Sequence, residues 1–132
     1  MNAARTVKGA NRVRYLRIAL VVVGLVFVFG IYPLSVVWPS GWTWGHGHSH
    51  YLTMILGVYA TLGVFLLLAS RDPAAHTSLI WFTVWSSVVH AVIMAVQALT
   101  DGAERGHLIG DVPALLIVAI VLAALTSRDR PA

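Results

Sequence analysis

Four long apolar runs divide the chain, and each is about as long as a helix that crosses a membrane. They cover residues 18–37, 51–69, 78–99 and 106–125. A helix needs about 20 apolar residues to cross the hydrocarbon core of a bilayer. The connections between the runs are too short to form another domain. The pattern therefore predicts an all-α fold, a bundle of four transmembrane helices in which residues 1–132 form a single membrane domain.

Prolines lie inside the first and the fourth run, at Pro33 and Pro113. A proline has no backbone N–H and interrupts the hydrogen bonds of a helix, so both spans are predicted to be kinked. A fourth helix starting at Val112, with Asp111 as its cap, would have only about fourteen residues to cross the membrane, which is too few. We therefore expect this helix to begin earlier, near Gly106.

Composition supports a membrane location. The chain is 58% hydrophobic and 11% charged, whereas soluble domains contain about 25% charged residues. The expected surroundings are a lipid bilayer. Five of the nine basic residues fall in the tail 1–17, directly before an apolar run, so the net charge of +4 indicates topology and not nucleic acid as a partner. The chain has no cysteine, so a metal site would need histidine, carboxylate or carbonyl ligands.

The distribution of Lys and Arg predicts the orientation. Basic residues are retained on the cytoplasmic side of a membrane. Only Arg105 falls on the opposite side from the others, which are Arg5, Lys8, Arg12, Arg14, Arg17, Arg71, Arg128 and Arg130. Both termini are therefore expected in the cytoplasm, with residues 38–50 and 100–105 outside.

One face of the third run carries a row of polar residues. With successive residues 100° apart, they fall within roughly 60° of one line. They are Ser86, Ser87, His90, Gln97 and Asp101. Trp85, Val92 and Val96 lie opposite and are expected to face lipid. His90 would lie about 15 Å deep, where it could act as a proton relay or could serve only as a hydrogen bond between helices.

The entrance to the fourth run is acidic and contains a histidine. In a helix, Glu104, His107 and Asp111 would share one stripe, similar to the Glu-x-x-His element of metal sites in helical bundles. A metal or polar-ligand site is one interpretation, and a structural hydrogen bond made by Asp111 is the other.

The first outer loop, WPSGWTWGHGHSHY (38–51), has three histidines at alternate positions, His46, His48 and His50. In an extended chain they would point to one side, where imidazoles could share Zn or Cu. A simple polar turn is the alternative. Trp38, Trp42 and Trp44 are typical of an interfacial aromatic belt. Together with Glu104, His107 and Asp111, the histidines form the predicted metal ligand set, with Cu or Zn as the candidate cofactor.

Residues 60–99 and the segment GHLIGDVPALL, Gly106–Leu116, resemble a bacterial family of small four-helix integral membrane proteins of unknown function. The similarity runs from about Ile31 to the end of the chain and includes no enzymatic motif. The resemblance implies fold and location only, a multi-pass protein of the bacterial inner (cytoplasmic) membrane.

Three functions agree with these features. The first is a membrane protein whose outward-facing His and carboxylate cluster binds a transition metal or a small polar ligand, with His90 behind it as a proton relay. The second is an accessory or self-associating subunit, either a homo-oligomer or part of a larger membrane complex. The third is a proton or ion pathway in an oligomer. No nucleophile or phosphate loop accompanies His107, so catalysis is left open.

Overall fold

The computed structural model describes residues 2–44 and 49–126, and within these ranges the chain is helical with no strand. The α-helices are α1 Asn2–Leu25, α2 Ile31–Val37, α3 Pro39–Trp42, α4 His50–Ala69, α5 Thr77–Thr100 and α6 Asp111–Thr126. A π-helical segment, Val26–Gly30, joins α1 to α2, and two 3-10 helices, Pro73–His76 and Gly102–Ile109, precede α5 and α6.

Four helical stretches of the described chain are long and apolar enough to cross a membrane. They are Asn2–Val37, His50–Ala69, Pro73–Thr100 and Gly102–Thr126. The predicted all-α bundle with four spans is confirmed. Because successive spans run in opposite directions, Asn2 and Thr126 lie at one end of the bundle. The other end, here called the tryptophan end, carries residues 38–44 and 102–110.

The helices do not pack evenly. The α5–α6 and α1–α4 pairs make the most extensive contacts, whereas α4 and α5 touch at few points. The α1–α4 crossing is close because glycines face each other there. A Cβ atom added to Gly24 would lie 2.9 Å from the Gly63 carbonyl oxygen, and one added to Gly63 would lie 2.7 Å from that of Gly24. Small residues of this kind let membrane helices approach closely.

The π-helical segment Val26–Gly30 lies in the middle of the first span. An extra residue per turn shifts the side chains that follow and is frequent at functional sites. Phe27 in this segment is buried against the rest of the bundle, and both Val26 and Phe27 border the cavity described below. Pro33 follows shortly after this segment, and because the helix continues from Gly30 into α2 without a break, its missing N–H removes one helical hydrogen bond. The kinks at Pro33 and Pro113 stay predictions.

The fourth span enters the bundle differently from expectation. Residues Gly102–Ile109 form a 3-10 helix, the chain turns at Gly110, and α6 begins at Asp111. Pro113 thus lies in the first turn of α6, which suits a residue without an N–H. A Cβ added to Gly110 would lie 2.3 Å from the Gly41 carbonyl oxygen. Gly106 and Gly110 therefore allow close backbone packing of this segment against α3.

Candidate functional site

A buried histidine holds together the tryptophan end. His107 has no exposed surface. Its Nδ1 lies 2.9 Å from both carboxyl oxygens of Asp111. Its Nε2 lies 3.2 Å from the Thr43 carbonyl oxygen and 3.1 Å from Glu104 Oε2. The ring therefore links the second 3-10 helix, the start of α6 and the loop after α3.

The partners of His107 restrict where its protons lie. The Thr43 carbonyl can only accept a hydrogen bond, so Nε2 must donate to it. Nδ1 faces a carboxyl group. Either this nitrogen also carries a proton and donates to the Asp111 carboxylate, or Asp111 is protonated and donates to Nδ1. In both cases one proton is held between the two side chains, and neither nitrogen of His107 is left without a partner.

Trp44 completes this group. Its Nε1 donates to Asp111 Oδ2 at 3.0 Å. Its ring stacks on the His107 imidazole, with 3.9 Å between centroids and 21° between planes. We call Thr43, Trp44, Glu104, His107 and Asp111 the His107 cluster. Trp44 is thus a structural partner of the buried acid and not only an interfacial residue. The Nε1 of Trp42, by contrast, is buried without a hydrogen-bond partner in the described parts of the chain.

Asp111 also borders a cavity of about 380 Å³ between the π segment, α4, α5 and α6, here called the α4/α5 cavity. Its walls are mostly apolar. The polar residues in its lining are Ser49, Tyr51, Tyr59, His90, Gln97 and Asp111. Ile55 of α4 and Ile93 of α5 line it and are 43% and 52% exposed. The cavity therefore opens sideways, through the gap between α4 and α5.

Deeper in the cavity, the Tyr59 hydroxyl is hydrogen-bonded to Nδ1 of His90. The two rings lie 5.6 Å apart, and the edge of Phe27 packs on Tyr59 at 5.1 Å with an interplanar angle of 86°. His90 belonged to the polar row predicted on the third run, whereas Tyr59 was not predicted. A single tyrosine in the interior of an otherwise apolar run was the signal that could have found it, because a hydroxyl in lipid needs a partner.

Comparison with known proteins identifies the family but no function. A family of unknown function (DUF6632) matches residues 10–129. The chain belongs to this family. The chain matches no curated protein and no solved structure. What a DUF6632 protein does must therefore be inferred from the geometry of its side chains.

In this DUF6632 member, the middle of the polar row of α5 faces inward and its outer end is exposed. Ser87 is buried, and Ser86 donates to the Thr83 carbonyl oxygen at 3.3 Å. Gln97 is exposed at the edge of the cavity. Asp101 is exposed, and its Oδ1 accepts from the Ala103 N–H at 3.0 Å, capping the 3-10 helix. Trp85 and Val92 on the opposite face are 63% and 55% exposed, as expected of side chains in contact with lipid.

The predicted metal ligands are only partly brought together. Glu104 and Asp111 meet at His107, whereas His50 is the exposed first residue of α4. His46 and His48 lie outside the described residues. Among residues 2–44 and 49–126, no three His, Asp or Glu side chains are arranged to hold a metal ion. Binding of Cu or Zn by this DUF6632 protein stays a prediction.

Proposed function

We propose that this protein is a membrane-embedded binding protein that takes a small, mostly apolar molecule into the α4/α5 cavity. The cavity itself carries the proposal. Its volume of about 380 Å³ falls in the range of sites for small molecules, about 300–1,000 Å³. Its apolar walls suit a molecule that arrives dissolved in the bilayer.

The position of the opening supports entry from the membrane. Ile55 and Ile93 at the gap are the kind of side chain that contacts lipid tails, so a molecule could pass between α4 and α5 without crossing water. The basic residues favour a tryptophan end that faces the outside of a bacterial inner membrane. The cavity would then lie in the outer half of the bilayer.

The polar groups inside the cavity support binding of a specific molecule and not of lipid tails alone. A carboxyl group that borders an apolar space is costly unless something pairs with it. The hydrogen bonds of Asp111 with His107 and Trp44 offset part of this free energy. The Tyr59–His90 pair lies further in and has hydrogen-bonding capacity left over. A ligand with an apolar body and one or two polar groups would satisfy both positions.

An uncharged photoprobe tests whether small molecules enter. The protein in lipid nanodiscs is irradiated with an iodophenyl diazirine, and the labelled residues are mapped by mass spectrometry. Leu115 and Met94 line the cavity and are buried, so lipid outside cannot deliver label to them. We expect label on both, and on lipid-facing Ile117, but not on Leu122, which is buried away from the cavity.

Two alanines of α6 provide a matched pair of variants. Ala114 lines the cavity and Ala124 is exposed on the same helix. Ala114→Leu should reduce labelling of Leu115 and Met94 to the background level and leave Ile117 unchanged, because the larger side chain fills the space. Ala124→Leu should change nothing. Labelling of Leu115 and Met94 no stronger than that of Leu122 in the unchanged protein would overturn the proposal.

A further inference from the structure

We infer that the α4/α5 cavity selects a lipophilic organic cation, an amine or ammonium with an apolar body, whose charge lies beside Asp111. This inference rests on the proposed function and adds the chemical class of the ligand. It follows from the charge of the lining, from the hydrogen-bonding capacity of Asp111 and from the aromatic side chains around it.

In the arrangement in which His107 carries both protons, the lining has a negative group, the Asp111 carboxylate, and the imidazolium that balances it lies behind it, outside the lining. Asp111 is the one acidic residue that borders the cavity, and no Lys or Arg is found among its lining residues in the described chain. Charges interact more strongly in an apolar site than in water, because the surroundings screen them less. A cation near the Asp111 carboxylate is therefore attracted and an anion is repelled, whereas an uncharged molecule gains at most a hydrogen bond.

Asp111 can accept more hydrogen bonds than it receives. A carboxylate offers about four acceptor positions on its two oxygens. Trp44 donates to one oxygen, and Nδ1 of His107 lies 2.9 Å from both. The side chain of Asp111 is 11% exposed although the residue as a whole is buried, so a small part of the carboxyl group can still be reached. A protonated amine could donate to it, and a quaternary ammonium, which has no N–H, could approach it by charge alone.

Aromatic rings lie at the same level of the cavity. Trp42, Trp44 and Tyr51 all contribute to its lining, and Trp44 is bonded to Asp111 directly. A cation over the face of an indole or phenol ring is stabilised by the negative face of the π system. The rest of the lining, including Leu52, Leu56 and Leu115, suits an apolar body. The cavity thus has an acid and aromatic rings at one end and apolar walls below them. A lipophilic ammonium, with a charged head and an apolar body, fits this arrangement.

Two probes of equal shape test the class of ligand. The two probes differ at one atom. Benzyltrimethylammonium has a positively charged nitrogen where neopentylbenzene has an uncharged carbon. Each is titrated against photolabelling of Leu115, with its concentration corrected for partition into the lipid. We expect the ammonium to displace the photoprobe at a concentration lower by at least about tenfold, since the cation gains both the charge and the aromatic contacts. Asp111→Asn should remove this difference.

Because Asp111 is part of a buried cluster, a second site keeps the test valid if Asp111→Asn does not fold. Gln97 is exposed at the edge of the cavity. Gln97→Glu should lower the concentration of ammonium needed, Gln97→Lys should raise it, and neither should affect neopentylbenzene. Equal displacement by the two probes, or no displacement by either, would overturn the cation inference while leaving the proposed function intact. Only a failure to label Leu115 in the first place would remove the proposed function.

Discussion

The protein contains two polar clusters, and they differ in how completely their groups are satisfied. In the His107 cluster, both ring nitrogens have partners and the ring is stacked on Trp44. The Tyr59–His90 pair shares one hydrogen bond, and its side chains make no other in the described residues. The first arrangement is typical of a group that holds a structure together. The second leaves donor and acceptor capacity beside an open space, which is typical of a binding site.

Asp111 connects the two functions. On one side it accepts from Trp44 and pairs with His107, and on the other it borders the α4/α5 cavity. The His107 cluster therefore serves to fix the carboxyl group in place. Loss of His107 should therefore mainly reduce stability, and loss of the Tyr59–His90 hydrogen bond should mainly change binding.

The largest expected loss of stability follows from His107→Ala. The change removes one partner of Asp111 and one of Glu104 and empties a fully buried space. Removing one member of a buried, hydrogen-bonded charge pair costs about 3 kcal/mol or more. We expect a loss of that size in the free energy of unfolding, measured by SDS titration in mixed micelles.

His76→Ala is the matched control, because His76 is exposed at the end of a short 3-10 helix. It should change the free energy of unfolding by less than about 0.5 kcal/mol, as is usual for surface positions. A similar small change for His107→Ala would contradict the structural role assigned to the His107 cluster.

A second prediction concerns the backbone packing that forms this cluster. A Cβ at Gly110 would lie 2.3 Å from the Gly41 carbonyl oxygen, whereas a Cβ at Gly102 would meet nothing within 4 Å. Gly110→Ala should therefore cost about 1–3 kcal/mol, the usual range for a side chain inserted into filled space. It should also displace α3.

Gly102→Ala, at the start of the 3-10 helix that ends just before Gly110, should leave stability nearly unchanged. The unfolding temperatures of the two variants are compared in nanodiscs. Labelling of Leu115 reports whether α3 keeps its position at the tryptophan end. If both alanine variants unfolded at the same temperature as the unchanged protein, the close contact between Gly110 and Gly41 would not be needed to form the His107 cluster.

The four-helix bundle could be predicted because each of its helices depends only on residues within its own segment. A run of about 20 apolar residues has to form a helix across the bilayer, whatever its neighbours are. The meeting of Glu104, His107 and Asp111 was also predicted, although from a regular α-helix. The spacing of three between Glu104 and His107 brings them together in a 3-10 helix as well, whereas Asp111 reaches His107 across the turn at Gly110.

The partners supplied by distant parts of the chain could not be predicted in this way. Trp44 and Asp111 are 67 positions apart, and Tyr59 and His90 are 31 apart. Their meeting depends on which helices become neighbours, and hydrophobic periodicity does not specify this. The cavity has the same origin, because it exists where α4 and α5 fail to pack closely. The close approach of Gly106 and Gly110 to α3 is also a distant contact and was not predicted.

The smallest expected effect on stability, and the sharpest test of the comparison, comes from Tyr59→Phe. The change removes the hydroxyl bonded to His90 and keeps the ring that packs on Phe27. A hydrogen bond between membrane helices contributes about 0.6 kcal/mol on average. We expect a loss of this size by SDS titration, close to the zero change expected for Tyr15→Phe, whose side chain is exposed on α1. The concentration of benzyltrimethylammonium that displaces the photoprobe should nevertheless change, because Nδ1 of His90 then has lost its hydrogen-bond partner beside the cavity. A loss as large as that of His107→Ala, with unchanged displacement, would mean that the Tyr59–His90 pair also serves to hold the helices together and that the two clusters do not differ in role.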